Sequence, residues 1–333
     1  MADYKSIHGT TIKSYTTDPD NPIEGQVWYD KTNEVLQYQI PNFVSAWATS
    51  TAVNTGRIDG AGAGTSTSSL FFSGAPYPVS AYTESWNGTS WTEVADLNQG
   101  RATGSGAGVS NTSALSYAGF KDPPSSPVSE TESWNGSSWT ELNDMNTGRY
   151  GAGRGVGTAT SALAVGGNLE PGLTANAESW NGSSWTEVND LNTARQQGAS
   201  AGDSNTSALA FGGETATAKS ANVEVWNGSS FTESSDLNTA RDQLAGVGHF
   251  SSTAVLAVGG KNASNNNVAN NEEWNGASFV ELADLSNGTK KSVGVGTTSS
   301  ALNISGGYPG GTNYTGVEEW SGSTNSTKTI DTD

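Results

Sequence analysis

The sequence has no cysteine, only two methionines and two histidines, and just 14% charged residues in a chain of 333. The absence of cysteine excludes a disulfide scaffold, a thiolate metal site and a thiol nucleophile together. His8 and His249 are too few and too far apart in sequence for a histidine-built metal centre or a Ser–His–Asp arrangement. Basic residues are scarce: 15 Lys and Arg stand against 33 Asp and Glu, a net charge of −18. That balance argues against a nucleic-acid groove or an anionic membrane surface as the main partner. No apolar run approaches the roughly 18 residues that span a bilayer, and Met1–Ser6 carry no signal-peptide core. The expectation is a protein without membrane insertion or Sec export. What the chain does have is 42 Gly and 11 Trp, a composition that fits an all-β repeat protein better than a helical bundle.

One unit recurs along most of the chain. W-N-G stands at Trp86, Trp134, Trp180, Trp226 and Trp274, with W-S-G at Trp320, at spacings of 46 or 48 residues. A second aromatic follows five residues later, at Trp91, Trp139, Trp185, Phe231 and Phe279. Ten residues beyond come Arg101, Arg149, Arg195 and Arg241, while the fifth unit slips and ends in Lys290 and Lys291. Next come a glycine-rich stretch, an apolar run closing on a small pair such as Gly166–Gly167 or Gly212–Gly213, and an irregular segment of about ten residues. A period of this length built from short strands points to a propeller or a solenoid.

Each unit reads as four strands: glycine-rich, apolar, Trp-bearing, and a fourth with the second aromatic. Asn-Gly between the last two supplies the positive φ angles of a tight turn. A four-residue loop from Asn to Ser fits equally and sets the two aromatics opposite each other. Glycine recurring in a strand implies crowding that only small residues tolerate. The first strand recurs six times, starting near residues 57, 101, 149, 195, 241 and 291, but a well-formed fourth strand follows only the first five Trp strands. Trp47 precedes Arg57 by ten residues, the same offset as Trp91 to Arg101. Residues 45–50 therefore read as the missing fourth strand of the last unit, and the expected fold is an all-β propeller of six blades closed by an N-terminal strand, with no open edges. The rival is that the tail from Ser323 to Ile330 fills that place.

The order Arg, glycine-rich strand, apolar strand ending in Gly-Gly, variable loop, aromatic, hairpin and Trp resembles the kelch repeat over residues 45–320, with W-N-G where Tyr-Asp is usual. Kelch domains are propellers and mostly binding modules. Galactose oxidase, an enzymatic relative, needs a Tyr–Cys crosslink and copper ligands that this sequence lacks. The first 44 residues do not repeat; Gly25–Tyr38, G-Q-V-W-Y-D-K-T-N-E-V-L-Q-Y, reads as a hairpin. This stretch resembles the short G-Q-x-W-Y hairpins near the start of bacteriophage tail-fibre and appendage proteins, and the near-identical W-N-G-S-S-W-T-E units resemble kelch-like proteins of marine phages. The resemblance implies an attachment arm at 1–44 bearing Trp28, Tyr29 and Tyr38, a propeller at 45–320, a tail at 321–333, and a place in the virion, oligomeric among other virion proteins.

Two sets of residues stand out as candidate ligand contacts. In an up-and-down blade the lead-in to the first strand and the loop between second and third strands share a face, so Arg57, Arg101, Arg149, Arg195, Arg241 and Lys290 would ring the channel mouth. Such a ring would capture a carboxylate, sulfate or phosphate of a surface polysaccharide; alternatively each Arg pairs internally with Asp96, Asp144, Asp190, Asp236 or Asp284. Tyr77, Tyr82, Phe120, Tyr308 and Tyr314 lie in the variable loops, where a rigid scaffold carries specificity, and would stack on sugar rings. The repeated Trp pairs read as core. Carboxylate pairs such as Glu84 with Glu93 recur in several units, unlike the single pair of a glycosidase cleft. No cofactor or metal is implied. The expected function is a non-enzymatic phage appendage binding a host glycan; a ligand-free head or neck decoration and a glycan-cleaving enzyme are the alternatives.

Overall fold

The computed structural model describes residues 13–16, 27–41, 45–76, 78–153, 155–248, 250–307, 314–322 and 325–330, with backbone alone at 13, 38–41 and 325–330. The described residues are all-β, with no helix. The chain divides into two compact units, residues 46–321 and a smaller unit of 1–45 with 322–333.

The larger unit contains six four-stranded antiparallel sheets, numbered here in chain order. The first is Ala61–Gly64, Ser69–Phe72, Thr83–Trp86 and Trp91–Val94, and the second Ser105–Ser110, Ser113–Tyr117, Thr131–Trp134 and Trp139–Glu141. The third is Gly157–Thr158, Ser161–Asn168, Leu173–Trp180 and Trp185–Val188, and the fourth Ala199–Ser204, Ser207–Phe211, Val223–Trp226 and Phe231–Glu233. The fifth is Ala245–Val247, Val255–Val258, Asn271–Trp274 and Phe279–Glu281. The sixth takes Val293–Thr297, Ser300–Ile304 and Val317–Ser321 from the end of the repeats and Ala46–Ser50 from their beginning, with Trp47 opposite Trp320. The tail does not fill that place. Asn325–Ile330 instead pairs with Val35–Pro41 in the smaller unit, whose sheet runs Lys13–Tyr15, Val27–Asp30, Val35–Pro41 and Asn325–Ile330.

Register decides between the two hairpin readings. Trp86 pairs with Trp91, Trp134 with Trp139 and Trp180 with Trp185, so the turn is the four-residue one. Its geometry is set by the Asn side chain: Asn87 Oδ1 accepts the amides of Thr89 and Ser90, both at 2.9 Å, and Gly88 takes φ 91°. The facing rings lie 4.7–5.5 Å apart in the five hairpins and in the Trp47–Trp320 pair of the sixth sheet, close enough for favourable aromatic packing.

Packing between sheets explains the composition of the first two strands. Six hydrophobic clusters are each shared by two consecutive sheets, one joining the sixth to the first through Val293, Val295 and Ile304 against Phe71 and Trp86. The second strand is apolar on both faces because a sheet lies against each. The first strands approach more closely still: a Cβ on Gly106 would stand 2.6 Å from the carbonyl oxygen of Gly62 in the neighbouring sheet. Only glycine permits that separation.

A cyclic set of backbone hydrogen bonds joins the lead-ins to the first strands. Thr103 N–H donates to Asp59 O (2.8 Å), Gly151 to Thr103 (2.9 Å), Gln197 to Gly151 (2.7 Å), Gln243 to Gln197 (2.7 Å), Lys291 to Gln243 (2.8 Å), and Asp59 back to Lys291 (3.2 Å). All six residues take φ between 53° and 61°, which turns each amide toward the preceding sheet.

Candidate functional site

The ring of arginines expected at an open mouth is instead part of the core. Arg57, Arg101, Arg149 and Arg241 are fully buried and Arg195 is 4% exposed. Each precedes its first strand by a few residues and reaches across the sheet to a glutamate on the third strand: Arg57 to Glu84 (3.1 Å), Arg149 to Glu178 (2.5 Å), Arg241 to Glu272 (2.6 Å), and Arg101 to Glu132 and Arg195 to Glu224. The other guanidinium nitrogen donates to the carbonyl two residues before that glutamate, on Tyr82, Glu130, Asn176, Asn222 or Asn270. The second carboxylate oxygen accepts both the backbone and the side-chain amide of the Asn three residues before the Arg, as Asn146 does for Glu178 at 2.8 and 2.9 Å. Burial holds all five guanidinia below their ordinary pKa, Arg57 at about 10, against the opposing pull of the glutamates. Their terminal guanidinium nitrogens are held internally, the Nε of Arg57, Arg149 and Arg241 is buried without a hydrogen-bond partner, and burial leaves none of the five open to a ligand. The internal partner is also not the expected aspartate: Asp96 and Asp284 instead accept the amides that open the third strands, of Thr83 and Asn271.

The same glutamates were candidates for a carboxylate pair. Glu84 lies opposite Glu93, Glu132 opposite Glu141 and Glu178 opposite Glu187. One member of each is buried against an arginine and the other exposed, so their environments serve the ion pair.

The sixth unit is offset from the expectation that Lys290 completes the ring. Thr289 occupies the arginine position: its carbonyl accepts from Gly260 N–H at 2.7 Å, as Arg101, Arg149, Arg195 and Arg241 accept from Gly74, Gly119, Gly167 and Gly213. Lys290 and Lys291 are the two residues after it. Lys291 pairs with Asp59 at 2.6 Å. Lys290 is half-buried, and its ammonium is held below the ordinary range first by desolvation and then by Lys261 and Lys291.

The residues following each arginine form the variable rim. Ile58, Ala102, Tyr150, Gln196, Asp242 and Lys290 make antiparallel bridges to the start of the second-to-third-strand loop, at Ala75, Phe120, Asn168, Glu214, Lys261 and Gly307. Lead-ins and loops therefore meet, as expected, through these bridges, and the arginines join them by main-chain bonds such as Arg101 N–H to Ser80 O at 3.2 Å. Phe120 packs edge-on to Tyr150, centroids 5.3 Å apart. Next to them runs a polar chain: Asn168 Nδ2 donates to Gln196 Oε1 and Gln196 Nε2 to Glu214 Oε2, both at 3.2 Å. Beyond it Lys219 pairs with Asp242 at 2.7 Å. The rim is thus apolar and aromatic on one arc, amide and carboxylate on the next, and cationic at Lys261 and Lys290. Sequence reasoning picked out Phe120 and Lys290 of these; the available signal for the others was a position that changes chemistry in every repeat, directly after the arginine in five of them.

The remaining predicted aromatics are dispersed. Tyr77 and Tyr308 lie outside the described residues. Tyr82, 46% exposed, lines a cleft of about 360 Å³ with Pro76, Pro78 and Val79, and Tyr314 is half-buried in the last loop. In the arm, Trp28 is fully buried and therefore unavailable for attachment, Tyr29 is 36% exposed, and Tyr38 pairs through its backbone with Val27 and Lys328. Among the described residues no group of three or more His, Asp or Glu could hold a metal ion.

No protein-family model matches this chain. No curated protein matches it either.

Proposed function

We propose that the chain is a six-bladed, kelch-like β-propeller that serves as the non-enzymatic glycan-binding module of a phage virion appendage. Support for the propeller comes from the six clusters shared by consecutive sheets, the last with the first, and from the cycle of backbone hydrogen bonds. Both are what radial closure requires. The observation that carries the binding reading is the rim. On a scaffold repeated almost unchanged, one position per sheet varies from Ile58 and Ala102 through Tyr150 and Gln196 to Asp242 and Lys290; Ala102 and Asp242 are buried, which leaves the half-buried Ile58, Tyr150, Gln196 and Lys290 to face a ligand. Aromatic edges beside amides and a carboxylate suit a sugar, whose ring face is apolar and whose hydroxyls both donate and accept. Lys261 and Lys290 favour an anionic glycan of a host surface. The arm, with Tyr29 exposed, is assigned to the contact with other virion proteins on the resemblance of its G-Q-V-W-Y segment.

The test is a glycan array probed with the full chain, followed by Tyr150→Ala and Gln196→Ala. Retained folding with at least tenfold weaker binding supports the reading. Binding by neither the parent nor any loop variant overturns it and leaves a structural virion subunit, the reading favoured by the burial and internal ion pairing of all five arginines. Shortening of a bound polymer during incubation would overturn the non-enzymatic assignment.

A further inference from the structure

The sixth sheet keeps the carboxylate of the repeated ion pair but not its counter-charge. Glu318 stands where Glu84, Glu132, Glu178, Glu224 and Glu272 stand in the other sheets and is 4% exposed. Thr289 replaces the arginine, and Ser286 replaces the asparagine whose side-chain amide would supply a second donor. What survives is one hydrogen bond, Ser286 N–H to Glu318 Oε2 at 2.9 Å. Among the described residues no basic side chain pairs with Glu318.

Two further polar side chains of the sixth sheet and its lead-in carry unpartnered oxygens. Asn303 lies directly opposite Glu318 across the strand pair, and its Oδ1 is buried without a partner in a side chain 3% exposed. Thr289 is 1% exposed, and its Oγ1 is likewise buried and unpartnered. The main-chain acceptor is retained as well. Gly316 O accepts Ser305 N–H at 2.9 Å, just as Tyr82 O, which also takes the Arg57 guanidinium in the first sheet, accepts Ser73 N–H. The sixth sheet thus groups a carboxylate, an amide oxygen, a hydroxyl and a carbonyl in the frame that holds a guanidinium five times elsewhere. A buried carboxylate with a single hydrogen bond is costly to leave without a counter-charge.

We propose that Glu318, Asn303, Thr289 and the carbonyl of Gly316 form a cation site for a guanidinium-type ligand, either a free guanidinium compound or the head of an arginine side chain. The planar fork is preferred to a metal ion because the equivalent frame holds a guanidinium in each of the other five sheets. The site is independent of the rim and of the glycan-binding reading.

The experiment follows the melting of the full chain in low-millimolar guanidinium chloride and methylguanidinium chloride, against potassium chloride and tetramethylammonium chloride at equal ionic strength. One-site binding at ten times Kd raises Tm by roughly 3 °C. The expected result is a saturable rise with guanidinium that is absent in Glu318→Gln. Thr289→Arg, which returns the missing guanidinium to the chain, should melt higher than the parent and no longer respond. An equal rise with methylguanidinium supports entry of an arginine head; a rise with guanidinium alone supports the free cation. No rise above potassium chloride, or an undiminished rise in Glu318→Gln, overturns the proposal.

Discussion

Replacing Arg149 by Met tests whether the repeated arginines belong to the core or to a ligand. The side chain is fully buried, donates to Asn176 O at 3.2 Å and to Glu178 Oε1 at 2.5 Å, and is held below its ordinary pKa by desolvation, against the opposing pull of Glu178. Arg149→Met leaves the Glu178 carboxylate buried with three N–H donors, Asn146 N, Asn146 Nδ2 and Thr147 N, at 2.8, 2.9 and 3.3 Å. Removing one partner of a buried pair costs about 3–5 kcal/mol, whereas replacing both by apolar groups is often neutral. The surviving donors put the single variant near the lower figure, about 3 kcal/mol. In a unit of this size that lowers Tm by roughly 6–12 °C. Arg149→Met combined with Glu178→Met should recover most of the loss. The assay is thermal and urea unfolding of both singles and the double, arranged as a double-mutant cycle. A single variant melting within about 1 °C of the parent would refute the reasoning, as would a double variant as unstable as the sum of its singles. Loss of glycan binding at unchanged Tm would restore the arginine to a ligand site.

Three further outcomes follow from the packing and charges. Trp47→Ala removes the 7%-exposed ring that faces Trp320 at 5.3 Å. It should cost about 3–5 kcal/mol in unfolding experiments, although the residue lies outside the contiguous repeats. Gly106→Ala places a Cβ 2.6 Å from the Gly62 carbonyl and 2.8 Å from the Phe72 ring. A loss of about 1–3 kcal/mol is expected, while Gly172→Ala, which meets nothing within 4 Å, should stay within about 0.5 kcal/mol of the parent. In the arm, the Asn33 side chain foremost, with the Thr32 and Asn33 amides, holds the Asp30 carboxyl below its ordinary pKa of 3.8. The carboxylate therefore contributes stability that is complete above that ordinary value and is lost as pH falls through the lowered one. An NMR titration of the Asp30 carboxyl with a midpoint at or above 3.8 would contradict this.

The parts of the fold that were legible in the sequence are those whose requirement falls on side chains at constant spacing. Trp86 and Trp91 are five residues apart in every hairpin because the turn between them is local, and the ten-residue offset from Trp47 to Arg57 marked the displaced strand for the same reason. The arginine's partner was not legible. Arg57 and Glu84 are 27 residues apart, Arg149 and Glu178 29, Arg101 and Glu132 31. The variable loop lies between them, so the spacing drifts while the geometry does not. Local carboxylates at constant offset, such as Asp96, were the visible alternative, and they hold backbone amides instead. The hydrogen-bond cycle left still less trace, since it demands a positive φ and places Asp59, Thr103, Gly151, Gln197, Gln243 and Lys291 in equivalent positions.

That last freedom connects fold to function. The cycle is made by the main chain and the ion pair by Arg and Glu, so neither depends on the residue between them. Gln196 can replace Tyr150 in the next sheet, and Asp242 can replace Gln196, without disturbing a bond that closes the ring. Each of these positions lies between the anchor residue and the cycle residue, which fixes where its side chain is placed while leaving its chemistry open. The chemistry at the half-buried positions Ile58, Tyr150, Gln196 and Lys290 can therefore change one sheet at a time without breaking the repeated main-chain bonds. In the sixth sheet the exchange has gone a step further, reaching the anchor itself at Thr289, and there the buried carboxylate of Glu318 is left to be met by something other than the chain's own arginine.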